Sequence, residues 1–171
     1  MRVSRYIAEF LKKKGLANVF GVQGGAVVHL FDSCERFGPK PIYCHHEQAA
    51  GFSAVSYART AGYGACIVTT GPGATNALTP LLGAWQNFTP TLFISGQARL
   101  SQTSYGTPHR QVGLQEAPIL SIVTPITKFT FLVEDPKRVP AQLEYAYDIA
   151  MERPSGPVWI DVPLDMQWAD V

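Results

Sequence analysis

Six short apolar runs alternate with segments of helical period along this chain of 171 residues, and that alternation is the strongest constraint on its fold. Residues 18–22, 41–44, 65–70, 91–95, 126–133 and 157–162 read as strands. Around them, 3–14, 26–37, 48–61, 75–88, 115–123 and 136–151 read as helices. The runs at 65–70 and 91–95 are apolar almost throughout, as strands covered on both faces are. Strands that alternate with helices build a parallel sheet, because each parallel crossover must leave the sheet and return over one of its faces. The expectation is a single α/β domain over 1–171: a doubly wound, six-stranded parallel sheet with helices on both faces. Residues 163–171 read as a tail or the start of a linker. In such sheets ligands sit outside the carboxyl ends of the strands, where strand order reverses. The informative residues are therefore Gln23-Gly24-Gly25, His45-His46-Glu47, Gly71 through Asn76, and Gly96-Gln97. Segment 97–113 lacks a regular pattern, and a loop that long in a compact domain is usually functional or mobile.

Composition narrows the function. A net charge of +1 provides no basic footprint, so nucleic acid is not expected as a partner. Cys34, Cys44 and Cys66 are far apart and form no Cys-x-x-Cys, which suits free thiols in a reducing cytoplasm. No apolar run approaches a membrane span, and Met1 to Tyr6 is not followed by the apolar stretch of a signal peptide. Gly71 to Asn76 sits at a strand-to-helix turn where glycine lets a flat ligand approach the backbone. Asn76 stands where a dinucleotide fingerprint needs glycine, and no Gly-Lys-Ser/Thr follows, so both phosphate-loop motifs fail. On spacing alone, a plain tight turn remains the alternative. Glu47 can be read as a helix-starting acid favoured by the dipole. The small, uncharged residues from Gln48 to Ala54 point further, to a helix covered on most sides and a partly desolvated carboxyl. Desolvation favours the protonated form, which suits a proton donor. Ala50 breaks the His-Glu-x-x-His zinc pattern, and His45 and His46 are read as structural.

Taken together, the residues resemble one family. Phe20 to Ala26, His46 to Ala50, Thr70 to Asn76, Ser95-Gly96-Gln97, Leu114-Gln115-Glu116, Ile126-Thr127-Lys128 and Gly156 to Pro163 follow in order. This is similar to the N-terminal pyrimidine-binding domain of thiamine-diphosphate-dependent enzymes, in particular the acetolactate synthase-like group. The resemblance spans essentially the whole chain and implies the thiamine-diphosphate-binding fold. It implies that Glu47 hydrogen-bonds the cofactor's aminopyrimidine and drives the proton shift that activates the thiazolium toward a 2-oxo acid. Gly24, Gly25, Pro72 and Asn76 match positions lining the pyrimidine, and Gln115 matches a catalytic glutamine near the thiazolium. Lys128 matches a lysine near the substrate, and Arg153 an arginine that contacts FAD, although Ser155 is inserted in the family's Arg-Pro-Gly-Pro. Two departures stand out. Leu114 replaces the phenylalanine of the synthase pattern, and Arg110 to Gly113 resembles synthase-like proteins of surface-sugar biosynthesis. No Gly-Asp pair occurs, so the family's diphosphate and Mg²⁺ site must lie outside this chain. The implied activity is decarboxylation or carboligation of 2-oxo acids, by a lyase or transferase completed by another subunit or segment. A homodimer or higher oligomer, inactive as this chain alone, is expected. A decarboxylase half and a non-catalytic binding or regulatory module are the alternatives.

Overall fold

The structure, a computed structural model, describes residues 1–171. Helix α1 (Val3–Lys13) forms because Val3, Ile7, Phe10 and Leu11 recur on one face and are buried. Lys12 and Lys13 stand at the negative end of its dipole, and Gly15, at φ +88°, turns the chain out of it. The strands are β1 (Asn18–Gly21), β2 (Lys40–Tyr43), β3 (Gly64–Val68), β4 (Thr91–Gln97), β5 (Phe129–Leu132) and β6 (Val158–Pro163). They form one sheet in the order β2-β1-β3-β4-β6-β5, and every pairing is parallel. The expected six-stranded parallel α/β sheet is thus the observed one. From β1 the chain moves outward to β2, and from β3 it moves the other way to β4. Strand order therefore reverses between β1 and β3, and a crevice opens at their carboxyl ends.

The remaining helices are α2 (Val28–Phe37), α3 (Glu47–Ala61), α4 (Pro72–Asn76), α5 (Leu78–Gln86), α6 (Ile119–Val123), α7 (Val139–Met151) and α8 (Leu164–Trp168). Side chains alternate across the sheet and separate two cores. Val19, Ile67, Ile94 and Ile160 pack with α1, α2 and α7. Cys66, Val68, Phe93 and Trp159 pack with α3, α5 and α6. Phe93 and Trp159 stack nearly parallel, with ring centres 5.3 Å apart.

Four local expectations change. The helix expected over 75–88 begins at Pro72 and breaks at Ala77 into α4 and α5. Pro80 has no N–H for the carbonyl of Asn76, and its ring crowds that carbonyl. The helix expected from residue 115 starts only at Ile119, because Gln115 is held at φ +56°. The apparent tail over 163–171 folds back as α8. Gln167 is fully buried and donates to the carbonyls of Ala26 (2.6 Å) and Val162 (2.9 Å), while Val3 N donates to Ala169 O. Finally, α3 is not covered all round: Ala49 and Ser56 are exposed and Phe52 is 45% exposed.

Candidate functional site

Glu47 is the first residue of α3, placed there by the cap before it. His46 Nδ1 accepts a hydrogen bond from Gln48 N at 3.1 Å, which satisfies one of the free N–H groups of the first turn. The carboxyl thereby projects from the carboxyl end of β2 toward the turn that follows β3. Asn76 Nδ2, at the end of α4, donates to Glu47 Oε2 at 2.9 Å. Glu47 Oε1 lies 3.3 Å from the point where Gly73 would carry a Cβ. Glu47 is half-buried rather than sealed, so the desolvated setting expected from the charge-poor helix is only partly present.

The walls of the crevice are bare by necessity. A Cβ on Gly24 would lie 2.5 Å from Thr69 Cβ, and one on Gly73 would lie 2.6 Å from Thr69 Cγ2. Neither position admits a side chain while Thr69 fills the space between them. Gly25 faces open space, with no atom within 4 Å of its Cβ position. Pro72 is exposed at the first turn of α4. Gly71 adopts φ +55° and ψ −114°, a conformation L-residues avoid, and a Cβ there would fall on the carbonyl oxygen of Gln115. That contact brings Gln115, with its side chain exposed, to the lip of the same turn. Glu47, Asn76, Gly24, Gly25, Pro72 and Gln115 are therefore drawn around one crevice.

Lys128 and Arg153 are not. Lys128 precedes β5, at the amino edge of the sheet, where its backbone N donates to Pro157 O (2.8 Å) and its Nζ to Glu152 O. It lines an apolar cleft of about 310 Å³ with Trp85, Gln86, Phe88, Pro154 and Ser155. Arg153 is exposed beside that cleft. The inserted Ser155 has a use there: its Oγ donates to Phe88 O at 2.6 Å.

Several polar residues behind the crevice carried no assigned role in the sequence. Asp161 and Gln97 are fully buried, and Glu116 and Thr70 nearly so. Asp161 Oδ1 accepts from Ser95 Oγ (2.6 Å) and Oδ2 from Gln97 Nε2 (3.0 Å), with Tyr105 Oη at 3.4 Å. Burial, with the Glu116 carboxylate adding repulsion, outweighs those donors and pushes the Asp161 carboxyl up to about 7. The available signal was a lone acid inside the apolar run Val158 to Val162. An unpaired buried charge is costly, so a donor set had to surround it. No three His, Cys, Asp or Glu side chains converge as metal ligands would, and no helix is long and apolar enough to cross a membrane.

Comparison with known proteins matches residues 1–119 to the family described as "Thiamine pyrophosphate enzyme, N-terminal TPP binding domain". The acetolactate synthase isozyme 2 large subunit of Escherichia coli (strain K12) is 36% identical over 170 residues, 99% of this chain and 30% of that protein. The acetolactate synthase large subunit of Haemophilus influenzae is 37% identical over 161 residues, 93% of this chain and 27% of its own. Acetolactate synthase 2, chloroplastic, of Nicotiana tabacum is 36% identical over 169 residues, covering 96% of this chain and 24% of its own length. The chain thus spans less than a third of the relatives it matches. With that match over most of its length, the chain belongs to the thiamine pyrophosphate enzymes and corresponds to their N-terminal TPP-binding domain.

Proposed function

We propose that this chain supplies the aminopyrimidine half-site of a thiamine-diphosphate-dependent enzyme of the acetolactate synthase-like group, acting on 2-oxo acids by decarboxylation or carboligation. The observation that carries the proposal is the Glu47–Asn76 pair, 2.9 Å apart at the reversal of strand order, with Glu47 Oε1 beside Gly73 and Gly25 open to solvent on the neighbouring turn. The donor set fits an aminopyrimidine. A flat ring needs backbone walls without Cβ atoms, and its ring nitrogen needs a carboxyl partner. Asn76 occupies Glu47 Oε2 and fixes the plane of the carboxyl. Oε1, on the Gly73 side, is then the atom that holds or passes a proton. Thr69 backs the ring site from between Gly24 and Gly73, and Gln115 overhangs it from the turn at Gly71. When bound, thiamine diphosphate supplies the nucleophilic carbon and the electron sink that loss of CO₂ from a 2-oxo acid requires.

The other half of the site, for the diphosphate and Mg²⁺, belongs to another subunit or segment in this proposal. Phe52 and Leu82 are 45% and 40% exposed, and Trp85 is exposed one helical turn beyond Leu82. A Cβ on Gly83 would lie 3.7 Å from the Phe52 ring, which makes α3 and α5 one surface. This charge-poor strip is the surface proposed to dock a second copy. Lys128 and Arg153 stand apart from the half-site and are proposed to serve substrate and FAD only in the assembled enzyme.

Titration calorimetry of the 171-residue chain with thiamine and with thiamine diphosphate tests the proposal. Both ligands should bind weakly, with similar affinity and without a response to Mg²⁺. Glu47→Ala should weaken both by about tenfold or more, the loss of one hydrogen bond to a charged group. Tight, Mg²⁺-dependent binding of thiamine diphosphate alone would overturn the half-site assignment.

A further inference from the structure

Gln97 ends β4 with its side chain wholly buried, and all four of its hydrogen-bonding positions are used. Nε2 donates to Asp161 Oδ2 at 3.0 Å and to Ala117 O at 2.9 Å. Oε1 accepts from Thr70 Oγ1 at 2.7 Å and from Ala98 N at 3.0 Å. These partners come from β6, from the loop before α6, and from the turn after β3. A reversed amide would set Nε2 against the Ala98 N–H and Oε1 against both the Asp161 carboxylate and the Ala117 carbonyl. The Ala98 N–H and the Ala117 carbonyl, together with Asp161, thus dictate which end of the Gln97 amide faces Thr70.

The segment tied down in this way is strained. Gln115, a non-glycine residue, stands at φ +56°. The left-handed region is disfavoured for an L-residue, so its surroundings must impose it. The Thr70 hydroxyl, bonded to Gln97, also lies 3.3 Å from Gln115 O. Gly71 makes room for that same oxygen. On the following residue, the buried Glu116 carboxylate accepts from Ser104 Oγ (2.6 Å), Ser104 N (3.1 Å) and Val112 N (3.1 Å). Leu114, by contrast, is 87% exposed, so apolar packing does not hold this loop.

We propose that Gln97, oriented by Ala98, Ala117 and Asp161, is a positioning residue that couples the Gly71 turn to the 113–118 loop through Thr70 and Ala117, and so presents Gln115 at the lip of the Glu47–Asn76 crevice. The functional part rests on the half-site assignment above; the coupling itself does not.

Hydrogen exchange and thiamine titration, both followed by NMR on the 171-residue chain, test this with Gln97→Met, Thr70→Val and Thr70→Ser. In Gln97→Met and Thr70→Val, the amides of Val112 and Glu116 should exchange at least tenfold faster. Amides of β3 and β4 should keep their protection, and thiamine affinity should fall severalfold. Thr70→Ser, which retains the hydroxyl, should restore both properties. If Gln97→Met also loses protection in the strands, the Thr70→Val and Thr70→Ser pair decides. Unchanged exchange at Val112 and Glu116 in Thr70→Val would overturn the coupling. If the parent chain shows no thiamine-induced shift at Glu47, Asn76 or Gln115, the half-site assignment falls, and the exchange rates still decide the coupling.

Discussion

Asp161→Asn should make the protein less sensitive to rising pH. The Asp161 carboxyl is buried beside Ser95, Gln97, Trp159 and Tyr105, with the Glu116 carboxylate repelling its charge, and is pushed up from 3.8 to about 7. The native state therefore keeps this proton over a range in which the unfolded chain has lost it. The associated stability is complete below about pH 4 and disappears as pH rises through about 7. At about 1.4 kcal/mol per pH unit, the interval from 3.8 to about 7 corresponds to roughly 4 kcal/mol, of which roughly 3 falls between pH 5 and 8. That is a large part of a typical total of about 5–15 kcal/mol. Asparagine mimics the protonated acid. Its oxygen can still accept from Gln97, and its amide can donate to Ser95 Oγ, whose hydrogen then turns to Ile160 O at 3.5 Å. Urea unfolding of parent and variant at pH 5 and pH 8 isolates the effect, because the other titrating groups cancel in the difference. The variant should gain roughly 3 kcal/mol on the parent between the two pH values. A difference that stays constant within about 0.5 kcal/mol, the ordinary scatter of distant sites, would show that Asp161 titrates like an exposed acid and refute the reasoning.

Two other outcomes are expected. Gly71→Ala should destabilise the chain by on the order of 3 kcal/mol, because it adds strain at positive φ to a collision with Gln115 O, and should abolish thiamine binding; a variant with parental stability would mean that the turn can open without cost. Sedimentation at micromolar concentration should show self-association that the double variant Phe52→Arg/Leu82→Arg removes, and a monomeric parent would exclude α3 and α5 as the docking surface.

The sheet was legible in the sequence because its cause is local. A strand covered on both faces needs a continuous apolar run, and a crossover helix needs an apolar stripe, so the order of the two patterns dictated a parallel sheet. The same order directed attention to the residues after each strand, Glu47 and the Gly71–Asn76 turn among them. What the pattern could not contain was distance between segments remote in sequence. The break at Ala77 follows from Pro80, a local cause outweighed by the apolar period around it. That α8 packs back depends on Gln167 reaching Ala26, 141 residues away. Lys128 and Arg153, matched in sequence to a lysine near the substrate and an arginine that contacts FAD, flank the entries into β5 and β6, at the opposite edge of the sheet from Glu47. Gln115 meets Thr70 and Gly71 only in the packed fold, and it is burial that raises the Asp161 carboxyl, against the donors Ser95, Gln97 and Tyr105 that the fold brings to it. Periodicity records which face of an element is buried; only the packed sheet decides which buried polar groups meet, because each must find its partner across elements that the chain visits far apart.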